Sequence, residues 1–349
     1  MGSIKLAESV HRLAGYTVWV ALSVLVLIAG MRLDQADLSV PLAYHGDVLL
    51  ILPLVKSTVE TGTHWHNDRL GAPGIQELHD FPIVDHLHFA ILWLMGQVLP
   101  SYVWCFNLYH LYTYPLTVLT TMIVLRNFGV SFPAAGLAGM LYAFLPFHYI
   151  RGLGHYFLSA YWTLPLTLWP VLRLLWGLGL FEKRWTAIGT VLIAVMTSCA
   201  GAYYAFFGCA ALGFAGLYAW IAYRNWRLFV SAGVVIAVIV AGGVVNHLPA
   251  ILYQAKYGPN TEVTQRQPEE AETYGLKLAQ MLLPVGDHHW RVFRNLRAKY
   301  DSDHRDLQNE NETSTLGLLG SMTFVALLGS IVFQRARSVS EGGGMSLAY

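Results

Sequence analysis

The sequence predicts an all-α fold, a polytopic transmembrane bundle of about eight helices with interfacial helices in a long first outer loop. Three observations carry this prediction. Of 349 residues, 55% are hydrophobic and only 12% charged, against about 25% charged in an ordinary soluble domain. Apolar runs able to cross about 30 Å of hydrocarbon recur along the chain. The charges that remain are distributed very unevenly, mostly in polar stretches between those runs. Such a composition excludes an ordinary soluble enzyme, and no basic stripe offers nucleic acid a docking surface. Cys105, Cys199 and Cys209 all lie in apolar segments, which argues against a disulfide framework.

The elements follow in order. The first apolar run, residues 14–30, follows Lys5 and Arg12 and reads as an uncleaved span rather than a removable signal. A polar loop, residues 31–103, comes next. Within it Val48 to Val59 is apolar but interrupted by Pro53 and Lys56, too short to cross, and is expected to lie as a helix at the interface. Phe89 to Leu99, closed by Pro100, is expected to be half inserted. Further spans are expected at 104–125, 133–150, 156–177, 185–198, 202–223, 228–250 and 314–334. Ser198-Cys199-Ala200-Gly201 makes a tight hairpin between two of them, and the glycines of 202–250 suit close helix packing in lipid. A second polar segment, residues 253–313, is longer than a connector requires and carries Asn311-Glu312-Thr313, an N-glycosylation pattern that often arises by chance. The whole is expected to be one membrane domain, 1–349, with a disordered tail after Arg337.

Charge sets the expected orientation. If Phe89–Leu99 does not cross, the connections bearing Arg126, Lys183-Arg184, Arg224 with Arg227, and Arg335 with Arg337 fall on one side, and the opposite short turns carry only Arg151. The positive-inside rule then puts both termini in the cytoplasm of a cell whose plasma (inner) membrane holds the chain. The same topology puts thirteen of the 14 histidines and 18 of the 21 acidic residues in or near the outer face.

The outer face carries several candidate groups. Arg151 is the lone cation of the turn His148 to His155, whose glycines and imidazoles flank a guanidinium suited to bidentate phosphate contact; the plainer alternative is an arginine snorkelling at the interface. His155, Arg69, His288 and His289 are further anion-binding candidates. His64, His66 and Asp68 suggest a divalent metal site, because His-x-His on an extended segment puts both rings on one side. Asp80 or Asp85-His86-Leu87-His88 would complete it, and interfacial hydrogen bonding is the competing role.

Gly46-Asp47 ahead of an interfacial helix, Leu70-Gly71-Ala72-Pro73-Gly74 further on, and Leu282-Leu283-Pro284 with His288 before the last span give a layout that resembles the GT-C superfamily of integral-membrane glycosyltransferases. The resemblance covers the general plan of most of the chain and implies a lipid-bilayer enzyme that takes a sugar from a polyprenyl-phosphate donor to a hydroxyl acceptor of the cell envelope. It implies Asp47 as the base, with Asp34 and Asp37 as rivals. Gly46 lets the backbone approach a substrate closely, while the plain role for Asp47 is to cap the helix starting at Val48. No paired acidic motif stands at that position, and the span number implies a short form or a fragment. Some members use divalent ions. Two other classes compete: a transporter or flippase of a lipid-linked or anionic solute, against which the nearly charge-free span middles and absent repeats weigh, and a non-catalytic membrane subunit.

Overall fold

The computed structural model describes residues 2–81, 83–262, 267–304 and 314–340; the glycosylation pattern at 311–313 and the tail glycines lie outside them. The described residues are mostly helical. Helix α1 (Gly2–Met31) leads into a 3-10 turn, Leu33–Gln35, and then into α2 (Val48–Thr61). A two-residue hairpin, β1 (His66–Asn67) and β2 (Gln76–Glu77), pairs antiparallel with His66 opposite Glu77. There follow α3 (His86–Gly96), α4 (Tyr102–Asn127), α5 (Phe132–Ala143) and α6 (Pro146–Arg151). After a 3-10 turn at Gly152–His155 come α7 (Leu164–Leu175), α8 (Arg184–Cys199), α9 (Ala202–Tyr223) and α10 (Trp226–Tyr257). The chain ends with α11 (Glu270–Tyr274), α12 (Leu278–Leu282), α13 (Arg291–Asp303) and α14 (Gly317–Ser340).

Among the described residues, four helices are long and apolar enough to cross a membrane: Arg12–Met31, Tyr102–Asn127, Ala202–Tyr223 and Trp226–Tyr257. Their outer faces carry what a soluble chain would hide. Phe206, Phe214 and Ile221 of α9 and Val240 and Val245 of α10 are all exposed. Two of the runs expected to span as single helices are broken. In 133–150, α5 stops at Ala143 and Pro146 opens α6, since a proline ring lacks the N–H needed to continue the ladder and clashes with the preceding turn. In 156–177, helix begins only with the 3-10 turn Tyr161–Thr163, and α7, with Pro165 in its first turn, runs 12 residues. At 1.5 Å per residue that is about 18 Å, short of the hydrocarbon thickness. The apolar stretches 48–59 and 89–99 fall largely in helices α2 and α3, the second starting three residues earlier and ending at Gly96, and 198–201 forms the α8–α9 turn.

The chain divides into two compact units, Met1–Ala143 with Gly152–Thr264, and Phe144–Arg151 with Gln265–Tyr349. The first has two cores. One joins α2, α3 and α4 through Val48, Leu54, Val55, Leu92, Phe106 and Tyr109, with Tyr156 and Phe157 packed among them. The other joins α7 to α10 through Leu174, Ala194, Leu212, Ala215 and Ala232. Small residues set the approach of these helices: a Cβ on Gly216 would fall 2.6 Å from the Ala232 methyl. In the second unit the Met281 carbonyl accepts from Leu316 N, which ties α12 to the start of α14.

Candidate functional site

The site grows from the loop that enters α2. Gly46 sits at φ +58°, a left-handed conformation that glycine adopts without strain, and a Cβ there would come 3.3 Å from the Gly154 carbonyl oxygen. That close approach lets Asp47 N donate to Gly154 O at 3.3 Å, so the 44–47 loop is stitched to the Gly152–His155 turn. The Asp47 carbonyl accepts from Leu50 N and Ile51 N and starts the helix. Its side chain makes no capping bond. Instead Oδ2 lies 3.2 Å from His155 Nδ1, with the two side chains 53% and 27% exposed. A carboxylate that is spared from capping, oriented by an imidazole and open to solvent is equipped to accept a proton.

Asn107 of α4 holds the approach to this loop. Fully buried, it donates through Nδ2 to Leu38 O at 3.0 Å and Val40 O at 2.7 Å, and accepts from Leu42 N at 3.0 Å. Three backbone groups that would otherwise be unpaired beside the membrane helices are satisfied by one amide. A lone asparagine in an apolar run was the signal for it in the sequence.

A groove of about 510 Å³ runs along one face of α2. Val48, Leu52, Lys56 and Glu60, spaced four residues apart, line it together with Tyr44, Tyr102 and the 66–70 segment. Arg69 Nη1 donates to Glu60 Oε2 at 2.8 Å, and the Lys56 ammonium lies over the Tyr102 ring at 5.2 Å from its centre. Tyr44, Glu60 and Tyr102 do not stand out in sequence, because only folding of α2 against the hairpin and α4 puts them round one cleft.

Of the histidines between 64 and 88, His64, His79 and His86 lie among stacked and tilted aromatic rings. His64 lies flat on Phe89, ring centres 3.8 Å apart, and its Nε2 donates to Ile83 O at 3.1 Å. Burial pushes that imidazole down to about 4. Trp65 stacks on His79, which stacks in turn on Tyr253. His66 turns outward and pairs with Asp68. His64 thus points to Ile83 while His66 and Asp68 pair with each other, and among the described residues no group of three His, Cys, Asp or Glu is arranged to hold a metal ion. Deeper in, His88 Nε2 donates to Ala200 O at 3.2 Å, which leaves Nδ1 to accept from the Tyr109 hydroxyl. Asp85 opens α3 with its carbonyl on His88 N and Phe89 N, and burial raises its carboxyl to about 6.

The remaining candidates are dispersed. Asp34 lies in the 3-10 turn after α1. Asp37 accepts from Ser39 N at 2.8 Å and from its hydroxyl at 2.6 Å, bonds that hold its carboxyl below the usual value, as in an ordinary loop turn. In the second unit Arg151 ends α6 and is buried. There too His288 accepts from Trp290 N at 3.1 Å and meets the Phe293 ring edge-on, while His289 is exposed. His155, taken from the sequence as an anion binder, is brought to Asp47.

Residues 87–341 match the model of a family described as a domain of unknown function (DUF6311). The matched stretch includes Asn107, Arg151 and His155, and begins after Asp47 and after every groove residue but Tyr102. No curated protein and no solved structure matches the chain.

Proposed function

We propose that this chain, which belongs to the DUF6311 family, is a membrane glycosyltransferase that moves a sugar from a polyprenyl-phosphate donor to a hydroxyl acceptor on the extracytoplasmic face. The observation that carries the proposal is the Asp47 carboxylate, unused as a helix cap and 3.2 Å from His155 Nδ1 at the mouth of an amphipathic helix. In the proposed step Asp47 takes the proton of the acceptor hydroxyl and that oxygen bonds to the anomeric carbon. The bond from that carbon to the phosphate oxygen breaks, and the carrier leaves as polyprenyl phosphate. His155 holds the carboxylate in place through its ring nitrogen. The topology that goes with this function has α2 and the 66–77 hairpin on the outer side, the termini in the cytoplasm, and about eight crossings, with the shorter apolar helices supplementing the four long ones.

The experiment is a transfer assay with purified protein in lipid, a radiolabelled polyprenyl-phosphate sugar and a panel of hydroxyl acceptors. Wild type should release polyprenyl phosphate and a new glycoside in equal amounts, and Asp47→Asn should release neither while still binding the donor. A protein that only carries the lipid across the bilayer would return the donor intact, and that result would overturn the proposal.

A further inference from the structure

We infer that the groove along α2 is an acceptor subsite for a neutral saccharide. This rests on the transferase proposal for its role in turnover but not for its chemistry of binding. Its size lies within the range of about 300–1,000 Å³ usual for small-ligand sites, and its position follows from the chain. Tyr44 and Val48, which flank Asp47 in sequence, both line it, so a ligand in the groove is held beside the stretch that carries the carboxylate.

The ligand class follows from the balance of charge. Lys56 and Arg69 are matched by Glu60 and Asp68, and the Arg69–Glu60 pair is closed at 2.8 Å. An anionic headgroup would have to break that pair and face two carboxylates, so the groove selects against phosphate. A neutral polyol meets no such opposition. Its hydroxyls donate to Glu60 and Asp68 and accept from Arg69 and Lys56 without separating them. Tyr44, 72% exposed, offers a ring face to the C–H side of a sugar. Leu49, Leu52 and Pro53 add an apolar floor on which the less polar part of the acceptor rests.

Saturation-transfer NMR on the full chain in nanodiscs tests this without donor or turnover. The probes are a panel of water-soluble methyl glycosides of neutral hexoses and pentoses, with inorganic phosphate as competitor. At least one glycoside should bind with a Kd of about 1–10 mM, the range of weak single-sugar sites. Tyr44→Ala and Glu60→Gln should each weaken it about fivefold or more, and phosphate at equal concentration should not displace it. Both substituted side chains are exposed, so the variants fold, and an unchanged thermal midpoint confirms it. If no glycoside binds, if the two variants bind like wild type, or if phosphate competes, the inference is overturned. Asp47→Asn separates the two ideas: it should bind the same glycoside normally, and if it also retains turnover the base assignment falls while the groove stands.

Discussion

Substitution of Asp47 separates a catalytic carboxylate from a structural one, because the two roles predict opposite magnitudes. The Asp47–His155 contact is 3.2 Å long but its side chains are 53% and 27% exposed. A pair so open to water contributes about 0.2–1 kcal/mol to stability, and no capping bond is lost with it. Asp47→Asn should therefore lower the thermal midpoint in lipid by no more than a few degrees. As a general base the same carboxylate contributes about 10²–10⁴-fold in rate, equivalent to about 3–5 kcal/mol of barrier. Loss of turnover should thus far exceed loss of stability. His155→Ala, which leaves the base but frees it to rotate, should lower turnover by about 10- to 100-fold. The double variant should be no slower than Asp47→Asn alone, since orientation is worthless without the base. Single-turnover transfer in nanodiscs, with donor binding measured in parallel, reads each effect. If Asp47→Asn keeps turnover within about twofold of wild type, or loses it only in proportion to folded protein, the reasoning is refuted.

Three further outcomes are expected. Asn107→Leu strands the carbonyls of Leu38 and Val40 and the Leu42 amide, so it should cost about 1–3 kcal/mol per group left dry and speed hydrogen exchange at residues 38–47; unchanged exchange there would contradict its role. Gly71→Ala places a Cβ 2.7 Å from the Ile75 carbonyl carbon at φ +85°, so the 66–77 hairpin should open and limited proteolysis within it should quicken about tenfold or more, whereas an unaltered cleavage rate would show that the turn tolerates a side chain. Asp85 binds its proton more tightly folded, at about 6, than the 3.8 of an unperturbed aspartate, so its contribution is complete below about pH 3.8 and is lost as pH rises through about 6. Asp85→Asn, fixed neutral, should keep that stability, and midpoints of the two proteins measured from pH 4 to 8 should diverge toward a ceiling of about 3 kcal/mol, less for residual solvent access. Parallel curves would show that the carboxyl is not desolvated.

Much of the architecture was legible because hydrophobic length and polarity are one-dimensional properties. The runs at 14–30, 104–125, 202–223 and 228–250 each lie within or along a helix able to cross a membrane, and Lys56 with Pro53 marked α2 as too short and too polar to do so. The broken runs were less legible, since Pro146 and Pro165 are compatible with a kinked span as well as with a new helix start, and only packing decides between them.

The sequence by itself determined that this chain is mostly helical and carries four apolar runs long enough to cross a membrane as helices, since a helix satisfies its own backbone polarity in hydrocarbon. Its resemblance to the GT-C layout, with Gly46-Asp47 ahead of an apolar helix, is what pointed to Asp47. Tertiary structure alone decided that the carboxylate is free of the helix end and held by His155, 108 positions later in the chain. Folding also laid His64 on Phe89 and gathered Tyr44, Glu60, Arg69 and Tyr102 round one groove. Spacing along a chain states which side of an element a residue occupies, but which partner from elsewhere claims its hydrogen bond is settled only when the elements pack.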